Sequence, residues 1–221
     1  MNNSFWQKCW ERNLLGFHQH DVHPFLAEYF DKRLLATDRH VFVPLCGKTL
    51  DMAYLAKLMQ VTGNELSDIA CRDFFIGNNI AYQKHNVGEF EKYTCQQLTL
   101  LQGDFFKLSA NAIDRIDWIY DRAALIALPT TMQQQYVNHL KTFFSSQTRL
   151  FLVTVEFPIE QLIGPPFAIL ETDVKSLFSG FKIECIATHE IKDKQFAQRK
   201  LDVDYLLEKL YIISIDDANG Q

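Results

Sequence analysis

Short apolar runs alternate with stretches of helical spacing along most of this chain. His40-Val41-Phe42-Val43-Pro44-Leu45 is a run ending in Cys46-Gly47, the pattern of a strand buried on both faces that runs into a turn. Leu50, Ala53, Tyr54 and Leu58 then recur at helical spacing and predict a helix over 49–60. A second strand is expected over 61–66, followed by a helix over 67–78 with Ser67 as its N-cap. Further strands are expected over 98–101, 117–120 and 150–157, with a helix over 129–144 that opens on a proline. Strands alternating with helices imply a parallel α/β sheet with right-handed crossovers. The last third differs, because 181–186 and 205–215 are strand candidates with no convincing helix between them. An antiparallel pair at one edge of the sheet is expected there.

Ahead of the first strand the pattern is helical. Ser4-x-x-Gln7 is a capping-box spacing and predicts a short helix to about Arg12. Trp6 and Trp10 stand at i, i+4 and share a face of it, either as a packing stripe or as the aromatic face of a lid over a ligand. A second helix is expected to open at Pro24. There is no internal repeat and no linker rich in Gly, Ser or Pro, so the expectation is one domain over 1–221, with a helical lid at 1–38 and an α/β core at 39–221.

Charge and cysteine usage narrow the function classes. The net charge of −5 lacks the basic footprint that a phosphate backbone requires, so neither nucleic acid nor an anionic membrane is an expected partner. The five cysteines are scattered, with no C-x-x-C pair, and read as reduced thiols. His18, His20 and His23 fit no zinc spacing, and no metal is expected. The start of the chain lacks the basic and apolar regions of a signal peptide, and a cytoplasmic location is the expectation.

In doubly wound sheets ligands lie beyond the carboxyl ends of the strands, so the residues just after each strand carry the functional information. Gly47-Lys48-Thr49 imitates the end of a phosphate-binding loop, but Phe42 stands where that loop needs its first glycine. A single glycine also fails the dinucleotide fingerprint. What remains is a one-glycine turn and, 18 residues on, Glu65, a carboxylate placed to accept from a ribose diol or else simply solvated. Gly103-Asp104-Phe105-Phe106 follows the third strand with a polar side chain and an apolar pair suited to bracketing an adenine. Asp121-Arg122 follows the fourth. Together these describe a pocket for a nucleoside without a polyphosphate.

Pro44-Leu45-Cys46-Gly47-Lys48, Glu65-Leu66-Ser67, Gly103-Asp104-Phe105-Phe106, Tyr120-Asp121-Arg122-Ala123-Ala124-Leu125 and Gly164-Pro165-Pro166-Phe167 resemble the thiopurine S-methyltransferase family of the bacterial type. Trp6, Trp10 and Phe17-His18-Gln19 stand in that family's order. The resemblance implies a class I, Rossmann-like methyltransferase fold, with a mostly parallel seven-stranded sheet, helices on both faces and an antiparallel C-terminal edge strand. It also implies S-adenosyl-L-methionine as methyl donor. Trp6, Trp10, Leu45, Gly47, Glu65, Asp104, Phe105 and Arg122 correspond to the cofactor pocket. Phe17, Arg122 and Arg199 correspond to the acceptor side, with Arg122 and Asp121 as the catalytic pair. The sequence departs from its relatives at Phe196-Ala197-Gln198-Arg199, where only Arg199 stands for their several arginines, and at a short turn, Leu58-Met59-Gln60-Val61, that lacks their glycine.

Methyl transfer from a sulfonium is an in-line displacement in which the protein supplies orientation and electrostatics. A thiol acceptor of lowered pKa is already partly thiolate, so no Ser-His-Asp or Cys-His constellation is required. Three classes stay open: a small-molecule S-methyltransferase acting on a thiopurine-like thiol, a related enzyme using thiocyanate, halide, selenium or tellurium, and a non-catalytic cofactor-binding protein. The expected partner is a small soft nucleophile, and the expected state a monomer.

Overall fold

The computed structural model describes residues 3–216; the proposed capping side chain of Ser4 lies outside the described residues. The chain divides into two compact units, Asn2–Arg115 and the part that begins at Ile116. In the first, helix α1 (Asn3–Glu11) precedes strand β1 (His40–Val43), helix α2 (Leu50–Leu55), strand β2 (Gln60–Glu65) and helix α3 (Asp68–Gly77). Strands β3 (Gln83–Val87), β4 (Phe90–Cys95) and β5 (Leu98–Gln102) complete it. Within this unit the strands lie in the order β3-β4-β5-β2-β1. β1, β2 and β5 are parallel, with Val43 opposite Gly63 and Glu65 opposite Gln102, whereas β4 and β3 add antiparallel.

All four residues of β1 are buried, as the apolar run requires. Its polar member, His40, is satisfied through Thr62 Oγ1 at 2.8 Å and the Arg115 carbonyl at 2.9 Å. Ser67 caps α3 as expected, accepting from the Ala70 N–H at 3.3 Å. The segment from Pro24 does coil, but Leu26–Phe30 winds as a π-helix with Leu26 and Phe30 both buried.

The second unit holds β6 (Trp118–Asp121), α4 (Thr130–Lys141), β7 (Arg149–Glu156), α5 (Glu171–Leu177), β8 (Phe181–Glu190), the two-residue strands β9 (Gln195–Phe196) and β10 (Arg199–Lys200), and β11 (Leu207–Ile215). Gln133, Tyr136, Val137 and Leu140 form the buried stripe of α4, at the spacing of one helical face. Strand order in this unit is β6-β7-β11-β8. The antiparallel pair expected at the C-terminal end is present, and β11 is inserted between β7 and β8, antiparallel to both. The outermost strand on this side is therefore β8. Among the described residues, the expected seven strands are β1, β2 and β5 of the first unit with β6, β7, β8 and β11 of the second. The β3–β4 hairpin is an addition. No helix of the described residues is long and apolar enough to cross a membrane.

Candidate active site

In the first unit the carboxyl ends of β1 and β2 meet at one carboxylate. Glu65 Oε2 accepts from the Gly47 N–H at 2.8 Å, and Oε1 accepts from the Ser67 N–H at 2.7 Å. The side chain is buried, which pushes its pKa above the usual carboxylate value, while the Ser67, Gly47 and Leu66 N–H groups pull it back. Each carboxylate oxygen offers about two accepting sites, so Glu65 keeps capacity for a further donor.

The turn that brings Gly47 to Glu65 is tightly specified. Leu45 has φ +47° and Gly47 φ +55°, and the Cys46 N–H donates to the Asn64 carbonyl at 2.9 Å. A left-handed leucine costs of order 1–3 kcal/mol, and such strain concentrates where backbone is placed for a ligand. A Cβ on Gly47 would stand 3.3 Å from Trp10 Cζ2, so α1 lies close over this turn. Trp10 is buried, and the Lys48 ammonium sits 5.8 Å from its ring centroid while pairing with Asp73 at 3.1 Å. Phe17 stacks edge-on against both Trp6 (5.3 Å) and Trp10 (5.6 Å). Five predicted residues, Trp6, Trp10, Phe17, Gly47 and Glu65, are thus linked in one chain of contacts, with Leu45 in its turn.

At the end of β5, Asp104 caps a short 3₁₀ turn by accepting from the Phe106 N–H at 3.0 Å. The expectation of two phenyl rings around an adenine needs correcting. Phe105 is buried and stacks on Phe42 of β1, so its ring serves the core, and Phe106 is the half-buried one.

In the second unit, Asp121 ends β6 and faces inward. Its Oδ1 accepts from the N–H groups of Ala124 (2.9 Å) and Leu125 (3.2 Å), and its Oδ2 from the Tyr136 hydroxyl (2.8 Å). Burial raises its pKa to about 6, against the lowering influence of those three donors and of Arg122. Arg122, half-buried, begins the loop that Asp121 shapes. Farther along this loop the Ile126 carbonyl accepts from the Phe167 N–H at 2.7 Å, and the Pro165 carbonyl accepts from Arg199 Nη1 at 3.2 Å. The Asp121–Ile126 loop, the Gly164–Phe167 segment and the β9–β10 pair are therefore tied together. Elsewhere, His23 is buried and its backbone N–H donates to Asp51. Among the described residues no set of three His, Cys, Asp or Glu side chains is grouped to hold a metal ion.

Residues 1–216 match the family model for thiopurine S-methyltransferase. The chain is 40% identical over 215 residues to a thiopurine S-methyltransferase of Shewanella sp. strain MR-7, covering 96% of this chain and 99% of that one. The chain belongs to the thiopurine S-methyltransferase family. Among solved structures it resembles a SAM-dependent methyltransferase from Anabaena variabilis (TM-score 0.68, 13% identity, 98% of this chain and 96% of that one). It also resembles a Burkholderia thailandensis 1,6-didemethyltoxoflavin-N1-methyltransferase bound to S-adenosylhomocysteine (TM-score 0.62, 13% identity, 97% and 87%). The class I methyltransferase fold follows, and the family member is an S-adenosylmethionine-dependent methyltransferase. The strand ends suit that donor chemically. They offer a buried carboxylate with spare acceptor capacity, a turn with Gly47 in the left-handed region close to the Trp10 ring, and an aromatic surface near it.

One residue beside the site escaped the sequence reading. Asn64, fully buried in β2, donates from Nδ2 to the carbonyls of Leu101 (2.9 Å) and Gly103 (3.2 Å). The sequence places it inside the strand expected over 61–66, but nothing in the sequence marks its side chain as a link to the neighbouring strand end.

Proposed function

We propose that this methyltransferase delivers the methyl group to the sulfur of a small, thiopurine-like thiol. The observation that carries the donor half is Glu65, anchored by Gly47 and Ser67 with lone pairs left to accept from a ribose diol. Trp6, Trp10, Leu45 and Gly47 then surround the amino-acid and sulfonium end, and Asp104 with the backbone of Phe105 takes the nucleobase. Residues 1–38 act as a lid, with the Trp6–Phe17–Trp10 cluster as its aromatic face. When bound, the sulfonium supplies an activated methyl group, and a favourable cation–aromatic contact is available to it.

The acceptor half rests on family membership together with the Arg122 loop. Arg122 presents a planar donor fork that orients a heterocycle and steadies a thiolate as the charge on sulfur changes. Asp121 is a positioning residue in this scheme, because its carboxylate, buried and bonded to Tyr136, Ala124 and Leu125, sets the course of the loop. The assignment of Arg199 and of Phe17 to the acceptor rests on family membership. No general base is assigned, since an acceptor thiol of lowered pKa is already partly thiolate near neutral pH.

A labelled-methyl assay against a panel of heterocyclic thiols, thiocyanate, iodide and selenite tests the acceptor assignment. Thiols should lead, and a panel led by any of the other three overturns it. Arg122→Ala should lower kcat/KM for a heterocyclic thiol by about 10²-fold, with Arg122→Lys recovering part of the loss, while donor affinity falls less. Equal losses of donor affinity and turnover would confine Arg122 to the donor side.

A further inference from the structure

Gly103, the residue before Asp104, is held from three directions. Its N–H donates to the Glu65 carbonyl at 2.9 Å, and its carbonyl accepts from Asn64 Nδ2 at 3.2 Å. Its Cα faces the ring of Phe90, which fills the space a Cβ would need. Phe90 opens β4, and the preceding residue, Glu89, reaches over to Lys107 at 2.9 Å. Asn64 is committed to this task with both of its amide hydrogens, on Leu101 and Gly103, although its Oδ1 is buried without a partner among the described residues. Leaving a buried oxygen unpaired is costly, and the two donated hydrogen bonds offset that cost. A glycine between β5 and Asp104 is an adaptable link, and pinning it fixes the direction in which the chain leaves β5.

We propose that Asn64 and Phe90 are positioning residues for the nucleoside end of the donor site, clamping Gly103 so that Asp104 is presented in one orientation. This rests on the reading of Asp104 and Glu65 as nucleoside contacts. Neither Asn64 nor Phe90 touches the donor; both lower the cost of binding it by removing conformational freedom beforehand.

The full chain is titrated calorimetrically with S-adenosylhomocysteine and with 5′-methylthioadenosine, which keeps the nucleoside and lacks the amino-acid end. Asn64→Asp turns a donor toward two carbonyls into an acceptor, and Phe90→Ala empties the space beneath Gly103. Each should weaken both ligands by a similar factor, about tenfold, which is the effect of about 1.4 kcal/mol. The KM for the methyl donor should rise by that factor, with kcat at saturating donor within about twofold of the original. Phe90→Tyr, which keeps the ring, should bind as the unmodified chain does. Wild-type affinities in folded Asn64→Asp and Phe90→Ala overturn the inference, as does a loss confined to S-adenosylhomocysteine or a fall in kcat without a change in KM. If the Asn64 variant does not fold, Phe90→Ala on the outer hairpin decides alone. Glu65→Gln separates the two levels. If it alone loses affinity, the strand-end reading stands and the clamp falls; if it too binds normally, the strand-end reading itself falls.

Discussion

Glu65 and Asp121 are both buried carboxylates at strand ends, yet they answer to different surroundings. Glu65 is held by two backbone N–H groups and keeps room for another donor, so its removal should be felt by the ligand. Glu65→Ala should weaken S-adenosylhomocysteine binding by about 1–3 kcal/mol, read by titration calorimetry, and an unchanged affinity would make it a structural carboxylate only. Asp121 spends its acceptors inside the protein and should be felt by the fold. Its pKa in the folded chain is about 6 against an ordinary 3.8. The folded state therefore binds a proton more readily than the unfolded state between those values. The contribution of this group to stability is largest below about pH 4 and is lost as pH rises through 6. At 1.36 kcal/mol per unit, the span is about 3 kcal/mol at most. Denaturant melts of Asp121→Asn and of the unmodified chain from pH 4 to 7 should thus converge or cross in the variant's favour as pH rises. A constant gap between the two would refute the assigned cause.

At the scale of elements, the hairpin β3–β4 and the strands β1 and β6 mark opposite ends of what sequence pattern can convey. β1 and β6 are buried throughout, so burial wrote continuous apolar runs into them. β3 is exposed throughout, and Gln83-Lys84-His85-Asn86-Val87 carries no hydrophobic period to find. Its one local signal is the two-residue turn Gly88-Glu89 between the paired residues Val87 and Phe90, with Gly88 at φ +60°. A Cβ there would meet nothing, so only backbone conformation opposes substitution. Gly88→Val should destabilise the chain by about 1–2 kcal/mol and Gly88→Asn by much less, measured by denaturant melts. Equal costs would mean that the turn relaxes to another type. The strand-end carboxylates were legible because a polar residue closing an apolar run stands out. Asn64 falls inside the strand expected over 61–66, but its task was not legible, because the carbonyls it donates to belong to Leu101 and Gly103, far away in sequence. The same blindness hid which hydroxyls lie inside the sheet. Tyr211 of β11 and Thr154 of β7 are fully buried, and neither hydroxyl has a partner among the described residues. Tyr211→Phe should therefore leave the thermal midpoint unchanged or raise it, whereas a clear fall would reveal a bound water or other partner.

For the molecule as a whole, ligand linkage tests whether the aromatic N-terminal segment is part of the donor site or only part of the packing. A ligand that binds only the folded chain adds about 2.7 kcal/mol at one hundred times its Kd. In a chain of this size that corresponds to a rise in thermal midpoint of roughly 5–10 °C. The unmodified protein should show such a rise with S-adenosylhomocysteine, and its absence at millimolar ligand would remove the donor assignment. Deleting residues 1–16 takes away Trp6 and Trp10 and leaves Phe17 without its ring partners. It also exposes whatever Trp10 covers, including the approach to Gly47, so some fall in the unliganded midpoint is expected in either case. The two readings part in the ligand-induced shift. If the segment is a lid, a truncated chain that still folds cooperatively should lose most of the rise, because affinity falls while the core persists. If Trp6 and Trp10 are packing residues alone, a truncated chain that folds should show the full rise at the same multiple of the original Kd, and one that does not fold cooperatively at all also favours packing over a lid.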